Sequence, residues 1–116
     1  MARPVFVDSN GRHITHVAYD AGLKRYIASA QGRSVAELGV FDAPEPWGPW
    51  TTVAYYQDWG RFGDRESLGM DFPTKWIRRD GTTIWAVFSA GRLGRKDDIL
   101  DSFNLAKLTL ILSKAR

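Results

Sequence analysis

Asp42-Ala43-Pro44-Glu45-Pro46-Trp47-Gly48-Pro49-Trp50-Thr51-Thr52-Val53 carries three prolines and two tryptophans in its first nine residues. Each proline removes a backbone donor and fixes φ, so neither a helix interior nor a central strand can form across them. The segment reads as a rigid loop that holds two indoles in place. Thr51-Thr52-Val53 then opens a strand, because β-branched residues favour the pleated conformation.

The same alternation runs outward from this loop. Short β-branched and aromatic segments are separated by turn residues: Asp8-Ser9-Asn10-Gly11, Asp20-Ala21-Gly22, Gln31-Gly32, Arg79-Asp80-Gly81 and Gly91 to Gly94. Strands are predicted over 4–7, 14–19, 25–30, 36–41, 50–56, 71–78, 83–89 and 103–112. Residues 98–112 are leucine-rich, which helix propensity would allow. Leu108, Leu110 and Leu112 alternate at strand spacing, and strand is the reading adopted. The fold class is therefore all-β.

A weak internal repeat accompanies this pattern. Thr15-His16 and Thr74-Lys75, Gly22 and Gly81, and Tyr26 and Trp85 each stand 59 residues apart. Both copies read as a strand, a glycine turn and a second strand carrying an aromatic. Ala28-Ser29-Ala30 and Phe88-Ser89-Ala90 follow at nearly the same offset. Four-stranded units repeating about every 50 residues are what propeller blades produce.

Composition narrows the classes. The 116 residues suffice for one modest domain. With no cysteine, neither a disulfide framework nor a thiolate metal site is available. The net charge of +3 is mild, and the basic clusters at Arg78-Arg79 and Arg92 to Lys96 are small. A nucleic-acid partner calls for a denser stripe, so none is expected. No apolar run reaches about 18 residues, so no membrane partner is expected. Met1 to Asp8 lacks a secretory apolar region, so the location is left unknown, with the cytoplasm as the default expectation. Aromatics at 13%, with five tryptophans, point to large flat contact surfaces.

Three stretches resemble one family. His16 to Tyr26 resembles an inner blade strand, turn and second strand. Leu38 to Trp50 resembles a third strand and the loop to the fourth. Phe72 to Trp85, followed by Phe88-Ser89 and Asn104-Leu105, resembles the next blade. Together they resemble the C-terminal two-blade portion of the five-bladed β-propellers of glycoside-hydrolase-like families. The resemblance implies two blade-like repeats of antiparallel four-stranded sheet at about 11–58 and 70–112, with the strand at 4–7 completing a blade edge. The hydrolases of this type take their catalytic carboxylates from earlier blades, which this chain does not supply, so no catalytic residue carries over.

Two blades leave their outer faces bare. Trp76, Ile77, Ile84, Trp85, Val87 and Phe88 place apolar groups on both sides of their segments. Head-to-tail association closes such units into a ring, and three copies would make six blades, as in some small lectins. A homo-oligomer, trimer favoured, is the expected partner. A compact sandwich with ordinary dimer contacts is the competing architecture.

In a ring, His16 and Lys75 would line the central channel from equivalent inner strands. There they would face an anionic or hydroxyl-rich ligand, or solvent alone. Trp47, Trp50 and Trp59 could stack on a sugar ring, or serve only to pack the blades. Glu45 would supply a loop hydrogen bond, and Asp42 would cap the turn. Tyr55 and Tyr56 fall on opposite strand faces. Gly60 to Arg65 reads as an exposed loop that could rim a site. His13 and His16 do not match a recognised metal spacing, Gly91 to Asp97 lacks the Gly-Lys-Ser/Thr of a phosphate loop, and Ser29 and Ser89 lack a nucleophile elbow. No metal and no cofactor are called for. The leading expectation is a carbohydrate-binding module; a glycosidase-like hydrolase with a site between subunits and a structural remnant without ligand are the alternatives.

Overall fold

The computed structural model describes residues 6–7, 13–31, 37–57, 61–62, 65–91 and 103–112. Among them the strands are β1 (His13–Asp20), β2 (Arg25–Gln31), β3 (Leu38–Ala43), β4 (Thr51–Tyr56), β5 (Arg61–Phe62), β6 (Arg65–Asp71), β7 (Thr83–Gly91) and β8 (Asn104–Thr109). They form two antiparallel sheets, ordered β1-β2-β3-β4 and β5-β6-β7-β8. Every strand pairs with its sequence neighbour, so each sheet is a simple meander. The all-β reading holds, including the strand rather than helix at the C-terminal leucines.

The sheets share one core. Ala18, Ile27, Leu38 and Val40 from the first meet Met70, Phe72, Ile84 and Ala86 from the second. Ala54, Phe88, Ala106, Leu108 and Leu110 pack around them. Alternation explains the membership: in β8, Ala106 and Leu108 face inward while Leu105, Lys107 and Thr109 face out. Among the described residues, a side-chain hydrogen bond also links the sheets. Met70 lies in an irregularity of the β6–β7 pairing, and its carbonyl accepts from the Ser29 hydroxyl of β2 at 2.6 Å.

The middle strands of the first sheet, β2 and β3, are buried on both faces. Ala28, Ala30, Phe41 and Ala43 are all nearly solvent-free although they do not belong to the shared core. The Phe6 ring packs on part of this face, 4.9 Å from Phe41 and 6.5 Å from Trp50, edge-on to each, while Val17 and Tyr19 on it stay exposed. Phe6 and Val7 are not in a strand; positions 4 and 5 of the strand predicted there lie outside the described residues.

Two further expectations are corrected. The strand predicted over 71–78 ends at Asp71, and a 3₁₀ turn follows at Thr74–Trp76. Pro73 lacks the donor a ladder needs, and its carbonyl instead accepts from Trp76 N at 3.0 Å. The second sheet begins at Arg61, ahead of the expected boundary near 70, because Arg61–Phe62 pairs with Arg65–Glu66. The loop expected over 60–65 is corrected at Arg61, Phe62 and Arg65, which lie in strands, while positions 60, 63 and 64 lie outside the described residues.

Candidate functional site

The glycines of the internal repeat meet in space. Asp20 to Arg25 turns from β1 into β2, and Arg78 to Gly81 forms a turn closed by Gly81 N to Arg78 O at 2.8 Å. A Cβ at Gly22 would collide with the Arg79 carbonyl and the Gly81 nitrogen. A Cβ at Gly81 would collide with Asp20 Oδ1 and lie 2.8 Å from Leu23, and Gly81 holds a φ of 75°. Only glycine fits either position.

Asp20 anchors this clasp. It is fully buried; Oδ1 accepts from Leu23 N at 3.2 Å, and Oδ2 has no partner among the described residues. Burial pushes its carboxyl above the usual range and the Asp80 charge adds to this, against the lowering by the Leu23 and Gly22 N–H groups. Asp80 is held below the usual range, first by the Thr82 backbone N–H at 2.9 Å, then by the Thr82 hydroxyl and the Arg78 charge.

A groove of about 510 Å³ runs along the clasp, where β1 passes the 3₁₀ turn. Tyr19, Gly22, Thr74, Ile77, Arg78 and Arg79 line it. Tyr19 is 44% exposed, and its ring leans on Tyr26 with centroids 4.9 Å apart. The groove thus offers an aromatic face, a hydroxyl and two guanidinium groups over a backbone floor that admits no side chain.

The expected site residues are dispersed around this seam. His16 sits on β1, half-buried, with Nδ1 3.5 Å from Asp71 Oδ1 and its ring edge-on to Phe72 at 6.1 Å. Lys75 lies in the 3₁₀ turn, not on an inner strand equivalent to that of His16, and its Nζ sits 5.4 Å from the Trp76 ring centroid. Pro73 is the reason, since it ends the strand just before Lys75. Glu45 is exposed, and the loop hydrogen bond it makes uses its backbone carbonyl, which accepts from Gly48 N at 3.0 Å. Trp47 is 67% exposed at the loop tip. Trp50 turns the other way, against Phe6, with Nε1 buried and without a partner among the described residues. Trp59 lies outside the described residues, as do positions 92–97 of the glycine-rich loop.

Asp42 does more than cap a turn. Oδ2 accepts from Arg25 Nε at 2.9 Å and Oδ1 accepts from Thr51 Oγ1 at 2.5 Å. The carboxylate therefore ties β2, β3 and β4 together at the root of the proline loop. Both its oxygens are engaged in these contacts.

Tyr19, Thr74, Ile77, Arg78 and Arg79 were not singled out as ligand residues from sequence. The available signals were the Gly22/Gly81 repeat and the Arg78-Arg79 cluster, which mark the two turns without showing that they touch. No protein-family model, curated protein or solved structure matches this chain.

Proposed function

We propose that this chain is a propeller-like carbohydrate-binding module that assembles with copies of itself. The observation that carries the binding half is the seam groove. Sugars are bound by an aromatic face for the C–H side of the ring and fixed donors for the hydroxyls. Tyr19 supplies the first; Thr74, Arg78 and Arg79 supply the second. The exposed Trp47 indole at the loop tip offers a further stacking surface. A glycan array followed by calorimetry tests this: binding is expected, with Tyr19→Ala weakening it by about tenfold or more. Absence of binding across the array, or turnover of a glycoside, would count against a binding module.

The assembly half rests on the apolar side chains that the sheets leave exposed. On the first sheet Phe6 packs on Phe41 while Val17 and Tyr19 stay exposed; on the second Trp85, Leu105 and Phe103 are exposed, and Trp76, Trp85 and Leu105 line an apolar hollow. Two stacked meanders of this kind read as two blades, and a closed trimer would bury such faces between neighbours. Light scattering is expected to give three times the 13.1 kDa chain mass. A monomer stable at high concentration would overturn the ring.

A further inference from the structure

The groove at the clasp carries more charge than a neutral sugar needs. Arg78 and Arg79 are adjacent and exposed, and neither is in an ion pair among the described residues, where the ion pairs are His16–Asp71 and Arg25–Asp42. The turn that carries them is fixed at both ends. Arg78 N donates to Thr83 O at 3.0 Å, Gly81 N donates to Arg78 O, and Asp80 Oδ1 accepts from Thr82 N. The Arg79 carbonyl is pressed against Gly22. Both guanidinium groups thus hang from a rigid rim.

The opposing charges offset this rim only in part, the exposed Asp80 acting on Arg78 and leaving Arg79 in excess. Asp20, the nearest carboxylate on the β1 side, is fully buried beneath the clasp. Asp80 is the one carboxylate on the turn itself, and its Oδ1 faces Thr82 N. A planar guanidinium presents paired donors that match a carboxylate, which an ammonium cannot do. The Tyr19 ring, propped by Tyr26, stands on the β1 side of the same groove.

We infer that the groove selects an acidic saccharide, with a uronate carboxylate held by Arg78 and Arg79 and the sugar ring laid on Tyr19. This inference rests on the carbohydrate-binding reading and narrows it to one ligand class. Thr74 contributes a hydroxyl for a neighbouring ring oxygen, and Ile77 supplies the apolar wall.

The experiment is calorimetry on the full chain with two matched probes, an oligogalacturonate and the corresponding neutral galacto-oligosaccharide. The acidic probe is expected to bind at least about tenfold more tightly at low salt, with the preference shrinking as salt screens the exposed arginines. Arg78→Lys and Arg79→Lys keep the charge but lose the fork, and each is expected to lower the preference while circular dichroism stays unchanged. Equal binding of the two probes would overturn the acidic selectivity and leave the carbohydrate module standing. Binding of neither would overturn both. Displacement of the acidic probe by inorganic sulfate at equal concentration would show a simple anion site and overturn the inference.

Discussion

At the scale of single residues, the clasp concentrates the constraints. A Cβ at Gly22 would meet the backbone of Arg79, Asp80 and Gly81, with no flexible side chain among its nearest neighbours to displace. Gly22→Ala is expected to cost ~2–3 kcal/mol, against less than ~0.5 for Ala21→Ser on the exposed side of the same turn; urea titration of the two variants separates the cases. Asp20 sets a pH dependence. Its carboxyl titrates higher in the folded chain than in the unfolded one, so its stabilising contribution is complete below the unfolded value and fades as pH rises through the folded value. Asp80 has the opposite sign: its contribution is present above the unfolded value and is lost on acidification. Asp20→Asn keeps the acceptor for Leu23 and removes the buried charge. Thermal melts from pH 4 to 8 are expected to show it more stable than the parent chain near neutrality, with the gap closing towards pH 4. A gap that does not vary with pH would mean that Asp20 is not the titrating group.

At the scale of elements, one carboxylate and one hydroxyl hold the strands in position. Asp42 binds the starts of β2 and β4 to the end of β3, so the proline loop leaves the sheet at a fixed angle. Asp42→Ala is expected to cost ~1–2 kcal/mol, while Glu45→Ala on the exposed loop stays within ~0.5. Ser29 bridges β2 to β6, and Ser29→Ala leaves the Met70 carbonyl short of a partner at a cost of ~1–3 kcal/mol. Chemical denaturation of these variants checks both. The elements also show where local reading fails. Pro73 stops β6, yet the aromatic and β-branched residues around it (Phe72, Thr74, Trp76 and Ile77) read as strand material. The strand signal was composition; the stop was one missing N–H.

For the whole molecule, Phe72 and the exposed face of the second sheet matter most. Phe72 is completely buried between the sheets, and Phe72→Ala is expected to cost ~3–5 kcal/mol through lost burial and the cavity left behind. Trp85 and Leu105 carry the opposite burden, since they face solvent. Trp85→Ser with Leu105→Ser is expected to leave the fold intact and lower the solution mass. An unchanged mass would place any self-contact elsewhere. The packing of Phe6 on the first sheet arises from chain path, not from strand composition. β2 and β7 are similarly apolar, and nothing in either tells which one Phe6 reaches.

The sequence by itself determined the all-β class, the rigid proline loop and most strand positions, because alternation, turn residues and missing proline donors act within a few residues. It also marked Gly22 and Gly81 as a matched pair. Only the tertiary structure brought those glycines together, raised the groove of Tyr19, Thr74 and the two arginines beside them, and sent Lys75 into a turn away from the strand position equivalent to His16. Contacts between residues about 59 positions apart depend on how two sheets stack, and stacking follows from the summed burial of the core rather than from any local signal.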